Sequence, residues 1–223
     1  MNLFKTALVA AVCVAAASTP SFAAKATGGG WGGPYAGLSV GYLQDKTDFY
    51  DPDNYFCDGC WFSAGSANNL TFGGQAGYNW QSDKLVYGFE ADAKGVYGEK
   101  LQGNDSSGLP FMGQTINGAY SLRGRIGMTT DYDAMLYATG GFALLQTNQS
   151  HMDSDEFDGA GRLYTGWTAG VGGEKKLNST YSAKLEATWS EFTSQKKTDA
   201  TDEGAFGADP STFGITAGVN YHF

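Results

Sequence analysis

Positive charge is scarce in this chain of 223 residues. Fourteen Lys and Arg stand against 23 Asp and Glu, a formal net charge of −9. A protein that neutralises phosphates needs a basic footprint, so nucleic-acid binding through bulk charge is excluded. Charged residues of both signs reach only 17 %, against about 25 % in soluble domains. Long apolar runs are missing as well. The longest, residues 7–17, falls well short of the roughly 20 residues of a spanning helix. Cysteine is limited to three residues and histidine to two. Glycine, by contrast, is abundant at 33 residues, and aromatics reach 14 %. The glycine has no three-residue period, which excludes collagen. Many glycines, many aromatics and few charges point to β-sheet.

The N-terminus reads as an address. Lys5 precedes the apolar stretch 7–17, and Pro20, Ser21, Phe22 and Ala23 follow. A basic start, a short apolar core and small residues before the cut make a secretory signal peptide. Cleavage is expected after Ala23, with residues 24–33 as a Gly-rich lead and 34–223 as the folded unit. The signal takes Lys5 and Cys13 with it, leaving 13 basic side chains against 23 acidic ones. The exported chain meets an oxidising compartment. There Cys57-Asp58-Gly59-Cys60 reads first as a disulfide closing a small loop. Free thiols, or metal or redox chemistry, are the weaker readings. Zinc wants four ligands, and a thioredoxin-like motif needs a βαβ context; neither is present in the sequence.

Eight runs then alternate with period two, the signature of strands with two unlike faces. They cover residues 35–44, 70–81, 85–97, 116–130, 134–147, 163–177, 181–192 and 213–223. In the second, Leu70, Phe72, Gly74, Ala76, Tyr78 and Trp80 alternate with Thr71, Gly73, Gln75, Gly77, Asn79 and Gln81. In the seventh, Tyr181, Ala183, Leu185, Ala187 and Trp189 alternate with Ser182, Lys184, Glu186 and Thr188. The connections also alternate. Residues 82–84, 131–133 and 178–180 are short, whereas 45–68, 98–115, 148–161 and 193–210 are long, polar and rich in Asp and Gly. Short turns at one end and long loops at the other mark an outer-membrane barrel. Each run reaches the roughly 9–11 residues a tilted strand needs to cross a bilayer. The expectation is an all-β fold: an eight-stranded antiparallel up-and-down transmembrane β-barrel.

Charge decides which face meets lipid. The apolar sides carry none over their middles, and the other sides carry Glu90, Asp92, Lys94, Arg123, Arg125, Glu174, Lys184 and Glu186. A soluble barrel such as a lipocalin would reverse this. Four acids and four bases cancel. An eight-stranded barrel is only just wide enough for side chains to fill, so these charges are expected to pair and plug the lumen. An ion path lined by the same residues is the competing reading. Tyr78, Trp80, Tyr87, Tyr132, Tyr181, Tyr221 and Phe223 cluster at run ends, as an interfacial girdle does. Trp189, Phe192, Phe213 and Tyr42 are expected on the outer rim. Two register expectations follow from parity. The 82–84 hairpin needs an even number of loop residues, and Glu174 should lie opposite Lys184 and pair with it. Glu90 and Asp92 should meet Arg125 and Arg123.

Several residues read as ordinary. His151 and His222 lack the context of a catalytic base, so neither a catalytic nor a cofactor site is assigned. The acids of the long connections, among them Asp45, Asp48, Asp51, Asp53, Asp58, Asp153, Asp155, Glu156 and Asp158, read as a solvated surface. Weak divalent-cation binding that bridges lipopolysaccharide phosphates is the alternative; no metal site is assigned.

Some strings resemble a known family. They are Tyr35-Ala36-Gly37, Ser121-Leu122-Arg123-Gly124-Arg125-Ile126-Gly127 and Leu136-Tyr137-Ala138-Thr139-Gly140-Gly141. Together they look like the alphaproteobacterial outer-membrane immunogenic proteins, a porin-family group of small barrels. The terminal Phe223, with Tyr221 two positions before it, resembles the assembly signal read by the barrel-insertion machinery. The resemblance implies an abundant, surface-exposed envelope protein, embedded in outer-membrane lipid and lipopolysaccharide, with a structural role. A small porin, or an adhesin acting through its long loops, are the alternatives. The Cys57–Cys60 pair departs from the family pattern.

Overall fold

In the computed structural model, residues 30–50, 61–99, 101–104, 110–151, 161–193 and 207–223 are described. The expected signal peptide, Cys57, Cys60 and most of the loop acids lie outside them. The strands are β1 (Gly33–Tyr50), β2 (Trp61–Ser82), β3 (Leu85–Gly98), β4 (Leu101–Asn104), β5 (Pro110–Thr129), β6 (Ala134–His151), β7 (Gly161–Lys176), β8 (Tyr181–Phe192) and β9 (Gly207–His222). β4 continues β3 along the same edge of β5, so nine segments make eight walls. Every neighbouring pair is antiparallel, and β1 pairing with β9 closes the sheet on itself. Closure leaves no open edge, the condition for a sheet to sit in hydrocarbon.

The turns at the closed end are short for local reasons. Ser82 pairs with Leu85, so Asp83 and Lys84 alone make the first turn. The even count that parity demands is met. Asp83 takes a positive φ of 52°, which Asp tolerates better than most residues. At the β7–β8 turn the Asn178 side-chain oxygen accepts from the Thr180 and Tyr181 backbone N–H groups. This Asx arrangement reverses the chain and sets Glu174 opposite Lys184.

At the other end the strands run on past the expected limits. β1 continues to Tyr50 and β2 begins at Trp61, well inside the stretch 45–68 read as loop. Above Tyr42 the outward face turns polar: Gln44 and Lys46 point outward where Leu38, Val40 and Tyr42 did below. Hydrophobic alternation stops where lipid stops, but the hydrogen-bonded ladder does not. The lipid-spanning part of β1 therefore ends at Tyr42.

The outward face is apolar throughout the span, with Leu38, Phe72, Leu122, Phe142, Val171 and Leu185 exposed. At the short-turn rim Trp80 stacks on Tyr87 with centroids 5.8 Å apart. Tyr221 lies edge-on to Tyr181 and to Phe223. Short turns and the paired ends of β1 and β9 place this rim on the periplasmic side.

The lumen corrects two expectations. Phe192 belongs to the interior, not to the outer rim. The even parity of β8 persists to its last residue, and Phe192 is buried opposite Gly166. It joins Leu43, Val96, Ile116, Ala143, Leu145 and Tyr164 in an apolar layer. So the interior is not polar from end to end. A β-bulge between Ile116 and Gly118 helps: it switches parity in β5 and turns Ile116 inward. At the periplasmic mouth Trp31, Val86, Met135 and Tyr137 form a second apolar cluster. Trp31 comes from the lead ahead of β1. Its backbone N–H donates to Gln81 at 2.6 Å, and the Lys176 ammonium lies 5.3 Å from its ring.

Candidate functional site: the charged layer of the lumen

Between the two apolar clusters lies the layer of charges. β3 and β5 bring Glu90 and Arg123 directly opposite each other, and the Arg123 Nη2–Glu90 Oε1 distance is 2.8 Å. The same guanidinium reaches Asp92 at 3.1 Å and, across the lumen, Glu186 of β8 at 2.6 Å. Arg125 crosses to Glu174 of β7 at 2.8 Å and stands 3.8 Å from Glu90. Lys184 of β8 crosses to Glu90, donating to its two oxygens at 2.8 and 3.0 Å. Lys94 pairs with Asp92 at 3.5 Å and donates to the Thr216 hydroxyl at 3.3 Å. A guanidinium presents five donors in a rigid fork, and this is what lets Arg123 hold three carboxylates at once.

All eight sequence-predicted charges therefore sit in one connected, neutral network. The pairing differs from expectation in one respect. Glu174 and Lys184 are register partners, but Glu174 bonds to Arg125 and Lys184 to Glu90. The reason is reach. Long side chains on facing walls meet at the barrel axis, because an eight-stranded interior is no wider than the side chains that fill it. Glu174 and Lys184 extend side by side and find partners opposite, whereas Glu90 also meets its register partner Arg123 along the wall.

Sequence reasoning left out the neutral members. The Tyr35 hydroxyl donates to Glu90 at 3.0 Å and accepts from Arg125 at 2.8 Å. The Tyr137 hydroxyl donates to Glu186 at 3.0 Å, and its ring lies 4.1 Å from the Arg125 guanidinium carbon. Asn220 and Ser182 both donate to Glu174 Oε1, at 2.7 and 2.5 Å. His222 Nε2 lies 2.9 Å from the Ser182 hydroxyl and 3.7 Å from Glu174, so His222 is a member of the network. The available signal was parity: each of these residues falls on the inward side of its run. Two glycines make room for the tyrosine rings. A Cβ on Gly77, opposite Tyr35, would come within 2.5 Å of its hydroxyl. One on Gly172, opposite Tyr137, would come within 2.6 Å of that ring.

Above the apolar layer, beyond the lipid-spanning part of β1, Asp45 is almost wholly buried and, among the described residues, accepts one weak bond, from Thr47 at 3.4 Å. Burial pushes its carboxyl up to about 7. Among the described residues no group of three or more potential ligands could hold a metal ion.

A barrel closed on itself, with lipid-facing apolar strands and an inward charge layer, can be set beside known proteins. Residues 7–223 match the family model of the outer membrane protein beta-barrel domain. The chain belongs to this family. The 31 kDa outer-membrane immunogenic protein of Brucella melitensis is 29 % identical over 99 % of this chain and 95 % of its own length. The 22 kDa outer membrane protein of Rhizobium leguminosarum bv. viciae is 34 % identical, covering 67 % of this chain and 66 % of that protein. Among solved structures, Ail, the attachment invasion locus protein of Yersinia pestis, aligns over 86 % of this chain and 99 % of its own. The identity there is 13 % and the TM-score 0.47. Membership places this outer-membrane barrel in the envelope of a Gram-negative bacterium, among the alphaproteobacterial outer-membrane immunogenic proteins that its strings resemble.

Proposed function

We propose that the protein is a structural barrel of the outer membrane that is closed to solutes and carries its long connections as surface antigen. The observation behind this reading is the filling of the lumen. A periplasmic apolar cluster, the neutral charge layer and an outer apolar layer succeed one another along the axis. A conducting pore needs a continuous polar path, and the layer of Leu43, Val96, Leu145, Tyr164 and Phe192 interrupts it. The test is solute uptake by proteoliposomes. Refolded protein should leave the permeability of the vesicles to small sugars at the protein-free level, and uptake that rises with protein content would overturn the reading.

The same site supports a non-catalytic role. Ser182, His222 and Glu174 are neighbours, but the Ser182 hydroxyl is fully buried and donates to Glu174. A nucleophile needs its proton taken by the base and its oxygen open to substrate. Among partners, the barrel-insertion machinery fits the C-terminal end. Phe223 is exposed, and its backbone N–H donates to Pro34 at the β1–β9 seam. A Phe223→Ala variant should accumulate in the periplasm while keeping its stability once refolded in detergent. Wild-type insertion in cells would remove this assignment.

A further inference from the structure

The aromatic girdle at the periplasmic rim is incomplete. At the level where β2 and β3 carry Trp80 and Tyr87, the outward residues of β5, β6 and β7 are Ile126, Ala138 and Val171. One level nearer the periplasm they are Met128, Leu136 and Gly173. The small Ala138, with Gly127 and Gly172 beside it, leaves a depression in the lipid-facing wall. It is an apolar groove of about 820 Å³ bounded by Leu85, Ile126, Met128, Leu136 and Val171. Its periplasmic end changes character: Thr129 and Thr130 line it. Lys175, exposed on the outward face of β7 opposite Ala134, stands on one side. Lys84 stands on the other, bridged to Asp131 at 2.9 Å. Among the described residues Lys175 has no ion pair.

We propose that this groove is a specific site for one glycerophospholipid of the periplasmic leaflet. An acyl chain fills the gap in the girdle, and the phosphate meets the Lys175 ammonium at the rim, beside Thr129 and Thr130, whose hydroxyls donate to the Lys84 and Ala134 carbonyls. Three observations agree: the groove faces hydrocarbon, it lies on the short-turn side, and the Lys175 cation stands at its headgroup end. On β2 and β3, and on β8 and β9, paired aromatics occupy the corresponding stretch of wall. The phosphate earns a charge-assisted contact at the membrane surface, and the groove supplies acyl contact that a smooth wall lacks.

The test is native mass spectrometry of the full barrel refolded with dioleoyl phosphatidylglycerol, released from detergent at increasing collision energy. The wild type should retain one phospholipid after the annular lipids have gone. Ala138→Trp fills the groove from the lipid side, where folding is not at risk, and should abolish retention. Lys175→Gln should lower it several-fold. Val40→Trp, on the opposite wall, should change nothing. Dioleoylglycerol, which lacks the phosphate, should be retained several-fold less. Equal retention by Ala138→Trp and the wild type would overturn the site, and equal retention of dioleoylglycerol would overturn phosphate recognition. Loss of the lipid in Val40→Trp would show non-specific annular binding and would also overturn the proposal.

Discussion

Glu90 is the residue on which the lumen turns. Arg123, Lys184 and Tyr35 all bond to it, and Arg125 stands nearby. Removing one member of a buried pair strands the other and costs about 3–5 kcal/mol. Removing both leaves less to strand. In a double-mutant cycle on refolding stability, Lys184→Met and Glu90→Gln should therefore be strongly non-additive. Lys184→Met and Glu174→Gln should couple more weakly, although those two residues are register partners. The reverse order would mean that charges pair along the wall instead of across the lumen. Asp45 makes a separate prediction at this scale. Its carboxyl titrates near 7 when folded and near 3.9 when unfolded. The folded state therefore holds the proton more tightly, and the stability this brings is complete below about pH 4. It is lost as pH rises through 7. The thermal midpoint in micelles should fall between pH 5 and pH 8, and Asp45→Asn should remove that part of the fall. An unchanged pH slope in the variant would show that Asp45 is not the titrating group.

At the scale of elements, parity and glycine do the positioning. Gly172 admits the Tyr137 ring, so Gly172→Val should destabilise the barrel, and adding Tyr137→Ala should restore part of the loss. If the second change gives no rescue, steric room is not what Gly172 provides. The first turn offers a gentler probe. Asp83 holds a left-handed conformation that costs a non-glycine residue about 1–2 kcal/mol. Asp83→Gly should leave stability level or slightly raised in urea titration, whereas Asp83→Val should lower it. These elements also show what was legible beforehand. The strands, their inward parity, the two-residue turn and all eight lumen charges could be read from alternation, because lipid imposes one rule on every outward position. The contacts of Glu90 and Asp92 with Arg125 and Arg123 agree with the sequence, but the partners across the lumen could not be read. They depend on which walls face each other across the axis, and alternation along a strand carries no such information. The outer extensions of β1 and β2 escaped for a related reason: above the lipid the outward face of β1 turns polar, so a hydrogen-bonded ladder persists without a hydrophobic pattern. Phe192 departs from the girdle pattern because parity outweighs its place at a strand end: its even number puts it inside.

The whole molecule is a closed wall around a stratified interior. Lipid selects the outside, and the inside behaves like the core of a soluble protein, with apolar layers above and below a paired ionic one. Such an interior stabilises the barrel against collapse or swelling, and it suits a wall that displays loops rather than one that passes solutes. The claim that the interior is closed is tested most directly by single-channel recording of the refolded barrel in a planar bilayer. The account predicts a silent membrane across the usual voltage range, both for the wild type and for a variant lacking the lead residue Trp31, because the charge layer and the outer apolar layer remain. Discrete, reproducible conductance steps from the wild type, altered in size by Arg123→Ala, would place an ion path through the lumen and contradict it.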